Sequence, residues 1–330
     1  AEQALQLQVQ LGVACMQGTG YASYETKEAL EHALVLADKV GETPLRAVAL
    51  YALWTGTLVR AEHAAAHTRA QEVLGLAEKT GNTELVGVGN RLVGINRLAT
   101  GRIEEADHYF NQALALLDPI ENKDSASRIG QDAATATLVY VSWIAAVRAR
   151  TRRSGHHARE AEKAALASDH LPSICYMRTH LMLVALTCGD ETALERHTIA
   201  LKPIAEEHNL EIWEGAANAC DAILSASKGD ALAIDRYYQA DAKLTEINFR
   251  FCMPLLRISA GRRALALGLK DHAQRLATMA EELIQATGET FALSDLHMLQ
   301  ADLAKAYGDH DASESLLNTA LDVARQQGAR

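Results

Sequence analysis

The string LADKVGETPL at residues 36–45 returns 40 residues later as LAEKTGNTEL at residues 76–85, and its junction returns once more as ATGET at residues 286–290. Gly41 and Gly81 each follow a run of helix-favouring residues, where a glycine in the left-handed conformation closes a helix. The threonine two residues after each glycine is predicted to cap the helix that follows. The string therefore predicts that one helix ends and the next begins at the same point of a repeat of ~40 residues.

The inside of the repeat also keeps a fixed spacing. Gly94, Gly101, Ala106, Phe110 and Ala113 are separated from the first of them by 7, 12, 16 and 19 residues. The same offsets return at Gly261, Gly268, Ala273, Ala277 and Ala280, and at Ala301, Gly308, Ser313, Leu317 and Ala320. Small residues let two antiparallel helices approach closely, and the middle glycine makes the turn between them. This order of small, turn and bulky positions resembles the signature of a tetratricopeptide repeat.

The first small position of the unit can be followed through the whole chain. It falls at Ala14, Trp54, Gly94, Ser142, Met182, Ala222, Gly261 and Ala301, with steps of 39 or 40 residues and one step of 48. The sequence therefore predicts an all-α fold, a right-handed superhelical solenoid of about eight tetratricopeptide-like hairpins. The longer step predicts repeats 1–3 at residues 1–119, a loop insertion and hinge at residues 120–130, and repeats 4–8 at residues 131–330. The alternative is an irregular helical bundle.

Composition narrows the functional classes. The 330 residues carry a formal net charge of −10, which argues against a nucleic-acid-binding surface. The five cysteines form no CxxC pair, as expected for thiols in a reducing cytoplasm. No uninterrupted apolar run reaches ~18 residues, so no membrane span is predicted. The N-terminus has no signal-peptide pattern and begins in mid-helix without a methionine, which predicts a cytoplasmic fragment of a larger protein.

The concave face of the superhelix is the predicted binding site. The first helix of each hairpin lines that face, and the register places Tyr51, Arg91, Trp143, Tyr176 and Arg262 there. Aromatic rings beside arginine are good anchors in a binding groove. The partner is predicted to be a protein or a small-molecule inducer, with a slight preference for an anionic or amphipathic molecule. The alternative for each aromatic residue is ordinary packing between helices.

An arginine cluster follows the predicted insertion. Arg148, Arg150, Arg152 and Arg153 lie at the turn of repeat four, and guanidinium groups bind phosphate and carboxylate in a bidentate manner. The cluster is a candidate site for an anion or for an acidic partner. Its alternative is a solvated basic turn.

The motifs that would indicate catalysis or a cofactor are not supported. Gly87, Gly89 and Gly94 lie within a predicted helix, whereas a phosphate-binding loop follows a strand. His157 and Glu160 share a helical face, but no third metal ligand is evident. The sequence therefore predicts no catalytic residues, no metal and no cofactor, and hence a binding protein rather than an enzyme.

Longer strings resemble those of one large bacterial group. The string GQDAA at residues 130–134, followed by Tyr140 and Trp143, is similar to that group's GQDPG…Y.AW segment, with Ala133 in place of proline. The group consists of multidomain signal-transduction ATPases whose C-terminal half is a tetratricopeptide array, joined to a cyclase or a winged-helix domain. The resemblance implies a regulatory sensor or scaffold that receives an inducer or a partner protein and acts on an ATPase or effector domain of the same chain. The alternative is a free-standing scaffold for protein–protein interaction.

Overall fold

The computed structural model describes residues 2–18, 20–41, 43–117 and 132–329, and within them it contains sixteen helices and no strand. The helices form eight antiparallel hairpins. Their bounds are α1 (Glu2–Gly18) with α2 (Tyr24–Val40), α3 (Thr43–Val59) with α4 (His63–Thr80), α5 (Thr83–Ala99) with α6 (Ile103–Leu116), α7 (Ala133–Val147) with α8 (Thr151–Ser168), α9 (Leu171–Cys188) with α10 (Glu191–Glu207), α11 (Glu211–Ser227) with α12 (Ala233–Glu246), α13 (Met253–Ala266) with α14 (Lys270–Thr287), and α15 (Leu293–Ala306) with α16 (His310–Gln327). The predicted helical-repeat solenoid is confirmed.

Glycines end the helices where the repeat predicts. Gly41, Gly81 and Gly288 close the second helices of their hairpins in the left-handed conformation, at φ +73°, +66° and +73°. The predicted threonine cap is wrong for α5, because the side chain of Asn82 accepts the hydrogen bond from the Leu85 amide at 3.0 Å. Thr83 is instead the first residue of that helix. Asparagine caps a helix as well as threonine does, and here it stands one residue earlier.

The small positions allow close packing inside and between the hairpins. A Cβ atom added to Gly94 would lie 2.8 Å from Cε1 of Phe110, and one added to Gly261 would lie 2.7 Å from Cδ2 of Leu299. Such distances are below van der Waals contact, and the rigid Phe110 ring in particular leaves no room for a side chain at position 94. The spacing between the small Gly94 and the bulky Phe110 in the sequence therefore corresponds to direct contact between α5 and α6.

The hairpins stack in chain order around two hydrophobic cores. A small core joins the first two hairpins through Leu5, Leu30 and Leu53. The main core runs from Leu50 to Leu303. Stacking places equivalent positions of adjacent repeats side by side, so residues 40 apart become neighbours in space.

Among the residues that the structure describes, one helix is apolar enough to be compared with a membrane span. Leu171–Cys188 (α9) has the length and hydropathy for it, but 56% of that stretch is buried inside the protein. The helix packs against α7, α8, α10 and α11. This environment is that of a core helix.

The superhelix closes on itself through three loops that are far apart in sequence. The Val59 carbonyl at the end of α3 accepts hydrogen bonds from the Arg250 and Phe251 amides at 2.8 and 3.2 Å. The buried carboxylate of Glu289 accepts the Cys252 amide at 2.8 Å and contacts His63 Nε2 at 3.2 Å. We call these groups the clasp, because they join repeat 2 to repeats 6 and 7.

The predicted insertion and hinge at residues 120–130 lie outside the described residues. The helices on either side of that segment, α6 and α7, pack on each other. The division into repeats 1–3 and 4–8 stays a prediction.

Candidate functional site

A cavity of about 130 Å³ lies inside the superhelix, between repeats 1, 2, 4, 5 and 6. Residues of the first helices of hairpins form most of its wall, as the repeat predicts for a concave face. The aromatic residues of the lining are Tyr21, Tyr51, Trp54, Tyr140, Tyr176, His180, Trp213, Phe249 and Phe251. The others are Met16, Thr55, Leu58, Val59, Pro172, Thr179, Leu183 and Ile212. Such an apolar pocket with a few polar groups is the usual form of a binding site.

Two of the five predicted groove residues line this cavity, and a third supports it from behind. Tyr51 and Tyr176 are part of the wall. Arg91 is completely buried and donates a hydrogen bond from Nη2 to the Tyr51 hydroxyl at 3.3 Å. Its guanidinium carbon lies 5.7 Å from the centre of the Tyr51 ring, within cation–π range. Arg91 therefore acts on the cavity through Tyr51 and does not contact the space itself.

A buried hydrogen-bonded pair fixes a second part of the wall. The Tyr140 hydroxyl lies 3.0 Å from His180 Nε2, and His180 Nδ1 lies 2.8 Å from the Tyr176 carbonyl oxygen. A carbonyl oxygen only accepts, so Nδ1 donates to it and Nε2 accepts from Tyr140. Burial lowers the pKa of His180 to about 4, and burial raises the pKa of Tyr140 well above 10. Both groups are therefore uncharged at neutral pH.

The remaining wall comes from segments that the sequence did not single out. Ile212 and Trp213 lie in the first turn of α11. Phe249 and Phe251 stand in the loop before α13, where the clasp holds them against α3. Loop residues have no helical period, and only closure of the superhelix brings them to this site. Tyr140 and His180 could have been identified from the sequence as neighbours, because they occupy equivalent positions 40 residues apart in adjacent repeats.

The other two predicted groove residues lie elsewhere. Trp143 is completely buried, donates from Nε1 to the Thr187 hydroxyl at 3.0 Å, and meets the Phe291 ring edge-on. Arg262 pairs with Asp295 at 2.7 Å on the half-exposed face of repeats 7 and 8. Asp295 also lines a second cavity, of about 360 Å³, between repeats 4, 5, 7 and 8.

The arginine cluster already has neighbours within the chain. Arg148 and Arg150 contact the carboxylate of Asp107 at 2.9 and 3.3 Å, and Arg153 donates to the Asn111 side chain at 2.6 Å. Arg152 is exposed at the start of α8. These pairs connect repeats 3 and 4. The Asp107 carboxylate neutralises part of the positive charge that would attract an external anion.

The side chains that could bind a metal are dispersed in the described part of the chain. In residues 2–18, 20–41, 43–117 and 132–329, no three His, Cys, Asp or Glu side chains come together to hold a metal ion. The His156 and His157 rings lie 5.1 Å apart without such a third group.

No protein-family model matches the chain, and no curated protein matches it. Among solved structures, a Rap protein in complex with competence and sporulation factor is similar over 99% of this chain and 99% of its own, with a TM-score of 0.65 and 10% identity. The two chains share one fold. Aspartyl phosphate phosphatase F from Bacillus subtilis aligns over 100% of this chain and 96% of its own, with a TM-score of 0.48 and 14% identity.

At such identities the likeness concerns the fold alone. It supports the tetratricopeptide-like repeat that the sequence predicts. The resemblance to the arrays of signal-transduction ATPases stays a prediction.

Proposed function

We propose that this chain is a tetratricopeptide-like scaffold that binds a protein or peptide partner on the concave face of its superhelix. The observation that carries the proposal is the cavity itself: eight aromatic side chains besides His180 surround about 130 Å³ between helices of five repeats. Aromatic anchors in a concave, apolar site are where binding free energy concentrates. The proposal is for binding and not for catalysis.

The shared fold adds support. The Rap protein was solved with competence and sporulation factor bound to it, so a chain of this architecture forms such a complex. The likeness extends over nearly the whole of both chains. It therefore favours a free-standing scaffold over the array of a larger ATPase.

A peptide-display selection on the immobilised protein tests the proposal. Selected peptides are measured by calorimetry against the native protein, against Trp213→Ala in the cavity wall, and against Tyr307→Ala. Tyr307 is 56% exposed and lies outside the lining, so it controls for loss of an aromatic ring. We expect at least a ~10-fold loss of affinity for Trp213→Ala and less than ~2-fold for Tyr307→Ala. Equal affinities for all three proteins would place the partner elsewhere and overturn the proposal.

The regulatory array of a signal-transduction ATPase is the second candidate. Its motivation is the resemblance of the GQDAA string at residues 130–134, followed by Tyr140 and Trp143, to a segment of that group. Asp132 caps α7, and Tyr140 and Trp143 are buried residues of that helix. An inducer or an effector domain of the same chain would then be the partner. Sequencing the gene upstream of Ala1 decides between the two, because only the array requires an ATPase domain encoded there.

A further inference from the structure

The second cavity, of about 360 Å³, holds aliphatic side chains that remain exposed to solvent. Met298, Leu317 and Leu321 all line it, and they are 43%, 48% and 47% exposed. They are three of the eleven large apolar side chains that are exposed among the described residues. Single exposed apolar residues are normal on a protein surface, whereas several gathered in one concave site indicate an interaction surface. The second cavity is therefore a candidate for contact with a partner.

The second cavity adjoins the first one, the cavity of about 130 Å³ that the proposed function uses. On α9, Leu183 lines the first cavity, and Thr187, one turn later, lines the second. The same order is found around the beginning of α13, where Phe251 lines the first cavity and Leu255 lines the second. Four residues of a helix advance by ~6 Å. The two cavities thus follow each other along the same elements.

A third element, α7, repeats this order and shows what separates the cavities. The Tyr140 ring, in the wall of the first cavity, stacks on Trp143 with the ring centres 6.0 Å apart. The Phe291 ring, in the wall of the second cavity, meets Trp143 edge-on with the centres 5.4 Å apart. Trp143 is completely buried and lines neither cavity. One core side chain therefore supports a wall of each.

Both cavities are open to solvent and poor in charge. Trp213 in the wall of the first cavity is partly exposed, as are the three aliphatic residues of the second. Among the described lining residues, the first cavity has no Asp, Glu, Lys or Arg. The second has only Asp295, which pairs with Arg262 at 2.7 Å. A charged group would lose hydration in either place without a free counter-ion, which is costly. Each cavity therefore suits an uncharged, apolar side chain.

The rise of a helix gives the distance between the two places. Thr179 in the first cavity and Thr187 in the second lie on α9, and their separation in sequence corresponds to ~12 Å at ~1.5 Å per residue. An extended chain advances ~3.3 Å per residue, so ~4 residues cover this distance. Residues i and i+4 of an extended chain also point to the same side. One extended peptide is therefore long enough to fill both cavities from one face.

We propose that the second cavity is a further subsite of the same binding groove, which receives an aliphatic side chain of a partner peptide whose residue four positions away occupies the first cavity. The exposed leucine and methionine side chains of the second cavity favour an aliphatic group there, because each buries apolar surface against it. The inference rests on the proposed function for the peptide nature of the partner.

Three capped and uncharged peptides test the spacing by calorimetry. Acetyl-Phe-Gly-Gly-Gly-Leu-amide carries its two apolar side chains four positions apart. Acetyl-Phe-Leu-Gly-Gly-Gly-amide has the same composition with the two side chains adjacent, and acetyl-Phe-Gly-Gly-Gly-Gly-amide lacks the leucine. We expect the spaced peptide to bind at least ~10-fold more tightly than either of the others, since burial of a leucine side chain is worth about that factor.

Variants of exposed leucines locate the effect. Leu317→Gln and Leu321→Gln should each reduce the advantage of the spaced peptide, because they replace apolar wall with a polar amide. Leu166→Gln is the matched control: Leu166 also lies in a helix, is 50% exposed and lines neither cavity. It should leave the advantage unchanged. All three positions are exposed, so the variants are expected to fold, and circular dichroism checks this.

Failure of the spaced peptide to bind, or equal affinity of the spaced and adjacent peptides, would overturn the inference. So would an advantage that survives both Leu317→Gln and Leu321→Gln, or one that Leu166→Gln reduces equally. Peptides from the display selection separate this inference from the proposed function. If their affinity falls in Trp213→Ala and is unchanged in Leu317→Gln and Leu321→Gln, the second subsite is rejected and the proposed function stands. If it is unchanged in all three variants, both are rejected.

Discussion

At the scale of the residue, the cavity depends on groups that are kept neutral. His180 is held between the Tyr140 hydroxyl and the Tyr176 carbonyl, and its ring stacks on Tyr176 with the centres 3.9 Å apart. Protonation would place a charge among aromatic rings and would remove the acceptor that Tyr140 uses. The pKa of His180 is low because burial makes its protonation costly.

Acid should therefore destabilise the fold through His180. The pKa is about 4 in the folded protein and about 6.5 in the unfolded chain. Stability from the neutral ring is fully present above pH 6.5 and is lost as the pH falls towards 4, because the unfolded chain binds the proton first. We expect this group to cost about 2 kcal/mol between pH 7 and pH 5.

Denaturant unfolding of the native protein and His180→Gln at pH 7 and pH 5 measures the effect. The variant should lose less stability on acidification, whatever its stability at pH 7. His197, whose pKa burial also lowers to about 4, remains in both proteins and supplies a common background. Identical pH dependence in the two proteins would contradict the assignment.

At the scale of the element, each hairpin is stabilised by the fit of a small residue on one helix to a bulky residue on the other. The Phe110 ring of α6 lies against Gly94 of α5, where a Cβ atom would come within 2.8 Å of it. Phe110 also stacks on Tyr140, with the ring centres 5.3 Å apart. Because Tyr140 lines the cavity, the position of Phe110 affects the cavity wall. Displacing Phe110 thus affects more than one hairpin.

Gly94→Ala should destabilise the protein by about 1–3 kcal/mol, because the added methyl group overpacks a rigid aromatic contact. Gly75→Ala is the matched control: Gly75 is also inside a helix, but nothing lies within 4 Å of the added Cβ. That change should stabilise by about 0.5–1 kcal/mol, since alanine favours the helix. Urea midpoints of the two variants compare them. A change of the same sign in both would contradict close packing at Gly94.

At the scale of the whole molecule, the clasp turns an open stack of repeats into a closed superhelix. Solenoid repeats normally contact only their neighbours, whereas His63 and Glu289 pair across 226 residues of sequence. Burial raises the pKa of Glu289, and the nearby His63 opposes that rise. The pair is buried, so each partner depends on the other.

Glu289→Ala should open the clasp. It leaves His63 and the Cys252 amide without their acceptor, and loss of one partner of a buried pair costs about 3–5 kcal/mol. Hydrogen exchange should lose protection at the Arg250 and Phe251 amides, which close the cavity by donating to Val59. Asp322→Ala removes one partner of an exposed pair with Arg325 and should change stability by less than about 1 kcal/mol. Unchanged protection in Glu289→Ala would show that the clasp does not depend on this carboxylate.

Much of the fold follows from local chemistry in the sequence. Gly41, Gly81 and Gly101 take the left-handed conformations that their places in the repeat predict, because a backbone turn depends on a few adjacent residues. The same reasoning singled out Tyr51 and Tyr176, which both line the cavity. Register within one helix and stacking of adjacent repeats are enough for these results.

The sequence by itself determined the number of repeats, their turns and the face on which a partner would be sought, because these depend on periodicity. Only the tertiary structure decided that Trp143 is core, that Arg91 stands behind Tyr51, and that Phe249 and Phe251 close the cavity. These outcomes depend on the curvature of the superhelix, which sums small rotations over many repeats. The loop near residue 250 meets α3 only because the rotations accumulated over several repeats bring distant repeats together. No short stretch of sequence predicts that contact.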